Sequence, residues 1–118
     1  MPQRSVVSRE LAEFLSVLAH PGRLQIIEEL GKGEAEVSVL QQRVGLSQPR
    51  TSQLLSMLKA HRLVAERKVG RRVMYRLTQP EVAAWLVAGL SFLLGPSSSS
   101  EEMFSAIEAV RAYWADPS

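Results

Sequence analysis

At 118 residues, with 46% hydrophobic and 22% charged side chains, the chain has the size of one hydrophobic core and a composition that folds, which sets aside disorder and a multi-domain organisation. It contains no cysteine, so disulfides, thiolate metal sites, thiol nucleophiles and thiol redox switches are excluded together. The formal net charge is only +2, but nine cations (Arg43, Arg50, Lys59, Arg62, Arg67, Lys68, Arg71, Arg72, Arg76) face the single anion Glu66 between Arg43 and Arg76, while Arg111 alone opposes five acids from Gln79 onward. Such a basic block is the electrostatic footprint of a polyanion binder. No secretory apolar run follows Arg4 and Arg9, and Val82 to Leu94 falls short of the roughly 20 residues that span a bilayer, so a cytoplasmic protein with no membrane partner is expected.

In chain order, Arg9 to Ala19 places Leu11, Phe14, Leu15 and Leu18 at helical spacing, with Ser8 as a candidate N-cap. A second helix starts at His20-Pro21, buries Leu24, Ile26, Ile27 and Leu30, and stops at Gly31. The capping-box pattern from Ser38 to Gln41 predicts a short third helix that buries Val39, Leu40 and Val44 and ends at Gly45. Ser47 then caps a fourth helix running to about His61, with Thr51, Leu54, Leu55 and Leu58 inward. Leu63 to Val69 and Arg72 to Leu77 read as strands joined by Gly70-Arg71, a glycine-first loop suited to a type II′ hairpin. Glu81 to Leu94 forms a fifth helix so apolar, through Trp85, Leu86, Leu90, Phe92 and Leu93, that it predicts a subunit interface. A serine linker follows, and Ser98 or Ser99 caps a last helix with Met103, Ile107, Val110 and Trp114 along one stripe. The expected organisation is a domain over residues 1–95, with 96–118 supplying the linker and a C-terminal helix packed on it. The fold class is mainly α with a small β-hairpin, a winged helix-turn-helix in the α+β class.

Two helices joined by a tight glycine turn and followed by a cationic hairpin match separate features of a duplex. The second helix offers side chains to base edges in the major groove, and the hairpin reaches the flanking backbone or minor groove. Ser47, Gln48, Arg50, Ser52 and Gln53 stand at the exposed start of the fourth helix, where glutamine suits adenine and arginine suits guanine. Lys68, Arg71 and Arg72 on the hairpin are phosphate or groove cations rather than base readers. The candidate dimer contacts are Leu11, Phe14 and Leu15 on the first helix with Trp85, Leu86, Leu90 and Leu93 on the fifth.

Three segments in order, Leu-Ala-His-Pro-Gly-Arg-Leu (18 to 24), Gly-Leu-Ser-Gln-Pro-Arg-Thr-Ser-Gln-Leu-Leu (45 to 55) and Arg-Lys-Val-Gly-Arg-Arg-Val-Met-Tyr-Arg-Leu (67 to 77), give a chain that resembles the ArsR/SmtB family of repressors from about Leu11 to Leu94. The resemblance implies a winged-helix homodimer built from the first and fifth helices, a recognition helix over Ser47 to His61 and a wing over Arg67 to Leu77. Its DNA-reading positions fall on Gln48, Ser52 and Gln53; Arg50 is added from charge and exposure alone. Many family members sense metals through a Cys-Val-Cys motif on the third helix. Here that stretch is Glu36-Val37-Ser38, whose hard oxygens do not replace soft thiolates. The family's second metal site uses aspartate and histidine on the fifth helix, where this chain offers only Glu81 as an ionisable group. The cysteine pairs that detect persulfide in other members are missing too.

His20 and His61 are assigned to packing or capping at helix ends rather than to a metal, so no metal site and no cofactor are expected. Trp85 and Trp114, with Met103 and Phe104, are assigned to core and interface packing, with an apolar-ligand pocket between the last helices as the alternative. The leading function is a sequence-specific double-stranded DNA-binding regulator, a repressor that covers a near-palindromic operator as a homodimer. A winged-helix protein-interaction module, or a regulator controlled by a partner protein or small apolar effector, is the second. Two separated histidines and no phosphate loop or carboxylate pair leave an enzyme without support.

Overall fold

The computed structural model describes residues 3–94 together with Glu101, Ser105 and Glu108. The elements run α1 (Arg4–Leu18), α2 (Pro21–Leu30), β1 (Ala35–Glu36), α3 (Val37–Val44), α4 (Gln48–Ala60), β2 (Val64–Val69), β3 (Arg72–Leu77), α5 (Glu81–Gly89) and α6 (Ser91–Leu94). The three strands form one antiparallel sheet in the order β1-β3-β2. This is the expected winged helix-turn-helix, with a third strand that the sequence pattern does not announce.

The helix ends are set by local chemistry. His20 is extended at φ −150 before Pro21, and its Nδ1 accepts the Gly22 N–H at 3.0 Å, so the histidine is the N-cap of α2. Ser47 caps α4: its hydroxyl accepts the Arg50 N–H at 3.2 Å. Both α3 and α4 stop in the same left-handed motif, in which the residue after the turn donates its N–H five residues back. At the end of α3 the left-handed residue is Gly45 (φ 70), and Leu46 N–H reaches Gln41 O at 3.3 Å. At the end of α4 it is Arg62 (φ 61), and Leu63 N–H reaches Leu58 O at 2.9 Å. Thr78 fastens this exit by donating its hydroxyl to Arg62 O at 2.7 Å. At the hairpin tip Gly70 has φ 64 and Arg71 is not left-handed, the backbone signs of the expected type II′ turn.

Three boundaries differ from expectation, each for a physical reason. The first helix begins at Arg4 rather than Arg9, leaving Ser8 inside it, because nothing between Arg4 and Glu10 breaks a helix; that polar turn buries nothing and leaves no amphipathic signature. The third helix starts at Val37, with Glu36 extended at the N-cap position and making no side-chain cap bond, so the capping box at Ser38 does not form. Pairing of Ala35 with Tyr75 and of Glu36 with Met74 holds Glu36 extended up to the first helical residue. The Ser38 hydroxyl turns instead to Glu36 Oε2, at 3.3 Å. The fifth helix is broken at Leu90, where the Leu90 N–H bonds to Val87 O at 3.1 Å and Gly89 contributes little helix propensity. The serine linker, its capping serines, the stripe of Met103, Ile107, Val110 and Trp114, and Phe104 lie outside the described residues.

The core draws from most of the described elements: Val17 and Leu18 of α1, Ile26, Ile27 and Leu30 of α2, Leu40 of α3, Leu54, Leu55 and Leu58 of α4, Val64 of β2 and Leu77 of β3. Each fully buried aliphatic side chain contributes about 1.5–3 kcal/mol before the entropy of ordering it is subtracted. Thr51, fully buried on α4, is satisfied by donating its hydroxyl to Ser47 O at 2.9 Å. Buried Glu29 faces Lys32 at 3.1 Å and Arg43 at 3.6 Å, tying α2 to α3. At the end of α2 the chain passes so near α5 that a Cβ at Gly31 would lie 2.6 Å from the Ala83 Cβ.

The paired left-handed caps give a direct test. Gly45→Ala should destabilise the protein by about 1–2 kcal/mol, whereas Arg62→Gly should leave stability unchanged or raise it by up to about 1 kcal/mol. Urea denaturation followed by circular dichroism measures both, and a clear loss at Arg62→Gly would show that the arginine side chain matters more than its backbone.

Candidate nucleic-acid interface

The helix-turn-helix is α3, the turn at Gly45, Leu46 and Ser47, and α4. Because Thr51, Leu54, Leu55 and Leu58 occupy one side of α4 and are buried, the opposite side faces outward and carries Gln48, Pro49, Gln53, Ser56 and Met57, with Ser52 half-buried at its margin. Gln48, Ser52 and Gln53 thus share one solvent-facing arc. Ser47 is also exposed, but its oxygen serves the helix cap. Arg50 lies at the edge of the arc, where its Nη2 sits 2.9 Å from Nε2 of His20. That contact joins the start of α4 to the start of α2, and no sequence signal points to it.

The wing is positioned against α4 by Lys59, which donates to Glu66 on β2 at 2.6 Å. The ammonium holds the Glu66 carboxyl below its usual range, and the carboxylate raises Lys59 in return. In the antiparallel register, Glu66 and Lys68 share a face with Val73 and Tyr75, while Arg67, Arg72 and Arg76 share the other with Met74. Burial, followed by the charge of Glu66, raises the Tyr75 phenol.

β1 changes the electrostatics of this second face. Glu34 accepts two bonds from Arg67, at 2.7 and 2.6 Å, and Glu36 pairs with Arg72. The bidentate bond to Arg67 lowers the Glu34 pKa and raises that of Arg67. A carboxylate with a lowered folded-state pKa stabilises above its unfolded value and is lost as pH falls through the folded one, so this brace persists to below the ordinary glutamate range. The basic block is therefore less free than its count of cations implies. Arg67, Arg72 and Lys59 are engaged by carboxylates, whereas Lys68 and Arg71 are in no ion pair among the described residues.

Glu36 and Ser38, where the resembled family carries its thiolate pair, bind each other, and Glu36 also holds Arg72. Among the described residues no three His, Asp or Glu side chains converge as metal ligands would.

Leu11, Leu15, Trp85 and Leu93 are 51%, 43%, 52% and 81% exposed in the single chain, although all are large and apolar. Phe14 is half-buried, its ring 6.2 Å from that of Trp85. Leu86 and Leu90 are half-buried, and Leu86 packs on its own chain's core. Together α1, α5 and α6 enclose an apolar groove of about 590 Å³ that includes Leu15, Trp85, Leu90 and Leu93.

Residues 20–66, from the α2 cap into the wing, match the bacterial regulatory protein arsR family. The nodulation protein NolR of Rhizobium meliloti is 35% identical over 101 residues, 86% of this chain and 82% of its own length. The chain belongs to the arsR family. The biofilm growth-associated repressor of Xylella fastidiosa (strain Temecula1) is 37% identical over 76 residues, 64% of this chain and 67% of the relative. A crystal structure of NolR from Sinorhizobium fredii superposes on 82% of this chain and 100% of its own, with a TM-score of 0.65 and 36% identity. This ArsR-family protein is a winged-helix DNA-binding transcriptional regulator.

For this ArsR-family protein the wing cations are not equivalent. Arg71→Ala and Lys68→Ala should weaken binding to every duplex and flatten the salt dependence by about one unit of slope for each phosphate no longer neutralised. Arg72→Ala should do less, because its charge is shared with Glu36, and Glu36→Gln should strengthen binding at low salt. Anisotropy titrations across a salt series check this, and equal losses at Arg71 and Arg72 would contradict the role assigned to Glu36.

Proposed function

We propose that the protein is a repressor that binds a near-palindromic double-stranded operator as a homodimer, with α4 reading base edges and the wing holding phosphate. The observation that carries this reading is the orientation of α4: Thr51, Leu54, Leu55 and Leu58 are committed to the core, so Gln48 and Gln53 face outward, with Ser52 half-buried at the margin between them. Two glutamines and a serine at a helix start, flanked by Lys68 and Arg71, have the reach and polarity for groove readout with backbone positioning. Repression is supported by the relatives named as repressors. No catalytic step and no cysteine-based sensing enter this reading.

The exposed apolar side chains of α1, α5 and α6 support dimerisation, since an apolar face of this kind is rarely left to water. Symmetric pairing would present two copies of α4, and an operator for such a dimer repeats its half-site with inverted symmetry about one helical turn away.

Gln48→Ala and Gln53→Ala should lower affinity for the selected operator by about 1–3 kcal/mol for each base-edge hydrogen-bond pair removed, and should leave scrambled DNA unaffected. Duplexes selected from a random pool and measured by anisotropy supply the operator. Loss of both affinities in parallel would remove α4 as the reader.

Leu93→Glu tests the dimer with little harm to the fold, because Leu93 is 81% exposed in the protomer. The variant should remain helical, sediment as a monomer at micromolar concentration and bind the operator much more weakly than wild type. A wild type that sediments as a monomer while retaining full operator affinity would contradict the dimer.

A further inference from the structure

The contact between α2 and α4 at His20 contains a conflict that only one proton can resolve. Nδ1 of His20 accepts the Gly22 N–H at 3.0 Å, and Nε2 lies 2.9 Å from Nη2 of Arg50. Both partners are donors. A neutral imidazole has one acceptor nitrogen and one N–H, and a guanidinium has no acceptor at all. With the proton on Nε2, the ring caps α2 and turns an N–H toward Arg50. With the proton on Nδ1, it accepts from Arg50 and leaves the Gly22 N–H facing a donor. Protonation at both nitrogens satisfies neither partner.

The half-buried ring lies against the first turn of α2, where a Cβ at Gly22 would meet His20 Cε1 at 3.2 Å, Nδ1 at 3.3 Å and, from α4, Leu54 Cδ1 at 2.7 Å. Magnitudes do not settle the choice. A hydrogen bond from a charged donor and the penalty for an unpaired buried amide are both about 1–3 kcal/mol. The gap between the two tautomers is therefore no larger than a ligand that binds Arg50 differently in each can shift.

We propose that His20 is a positioning residue for Arg50: the recognition helix has this arginine free for a phosphate or base only in the tautomer that caps α2, so DNA binding and the α2 cap stabilise each other. When DNA accepts the Arg50 guanidinium, the proton leaves Nδ1 and another arrives at Nε2 by exchange with water, with no change in net charge. The coupling rests on α4 being the DNA-facing helix, as proposed above.

The first arm of the test needs no DNA. In protein labelled with 15N at histidine, and at a pH where its imidazoles are neutral, the His20 nitrogens should show shifts averaged between tautomers in wild type. Arg50→Ala should move them to the Nε2–H form. Unchanged His20 shifts in Arg50→Ala would overturn the proposal, whatever the protein does with DNA. In the second arm, adding duplex to wild type should produce the same move; binding without it would also overturn the coupling. A wild type that binds no duplex at low salt would instead defeat the reading of α4, with the first arm still standing.

Two variants separate the two ring nitrogens. His20→Asn keeps an N-cap acceptor and removes the reach to Arg50, so it should bind operator tighter by about two-fold, the gain when an arginine free in about half of the molecules becomes free in all, and lose that gain when combined with Arg50→Ala. His20→Gln keeps an acceptor near Arg50 and loses the cap, so it should bind more weakly than wild type. Equal changes in both variants, or a His20→Asn gain that survives Arg50→Ala, would reduce His20 to a structural role.

Discussion

The burial of one side of α4 is the constraint on which the rest of the structure depends. Leu54, Leu55 and Leu58 meet α2, α3 and β2 in the core, and Thr51 enters it only because its hydroxyl finds the Ser47 carbonyl. Rotating the helix would expose three leucines and strand a hydroxyl, so its roll about its own axis is fixed by several interactions at once. The outward arc follows from that roll without any interaction of its own. An outward polar surface therefore need not be stabilised by the residues that compose it, and Gln48 and Gln53 are exposed.

Electrostatics adds a second layer that a linear count of charges misses. The hairpin is basic along the chain, but β1 lays Glu34 and Glu36 across the same face as Arg67 and Arg72. Surface pairs of this kind contribute little to stability in water. Their larger effect is on which cations remain available. Binding a phosphate through Arg72 means exchanging a carboxylate for it, whereas Arg71 at the turn has no ion pair among the described residues to exchange. The wing thus presents a graded set of cations.

What was legible in the sequence was local. His20 before Pro21, Ser47 two residues after Gly45, and Gly70 between two strand-length segments each announce a backbone event within a few residues of themselves, and each occurs where the signals place it. β1 was not legible, because two residues carry no periodicity and their partners, Met74 and Tyr75, lie some forty positions away. Missing β1 also displaced the start of α3 and hid both wing carboxylates. The polar beginning of α1 and the break at Leu90 escaped for the opposite reason: helix formation there follows the absence or presence of a weak breaker rather than a pattern of burial. Of the candidate site, the residues of α4 and the wing tip were legible by type and position. The contact of Arg50 with His20 was not, since it joins residues from two helices through packing.

The near-contact of Gly31 with Ala83 gives α2 a mechanical character. At that end no side chain separates α2 from α5, and at the other Gly22 and His20 meet Leu54 and Arg50 of α4. The ten residues between form a rod about 15 Å long. Close-packed interiors lack the compliance to absorb a displacement along such a rod. A shift of α5 toward Gly31 would therefore press α2 as a whole against the start of α4. Thermodynamic reciprocity then requires that any molecule favouring one position of α5 has its own affinity altered, by the same factor, when α4 is occupied.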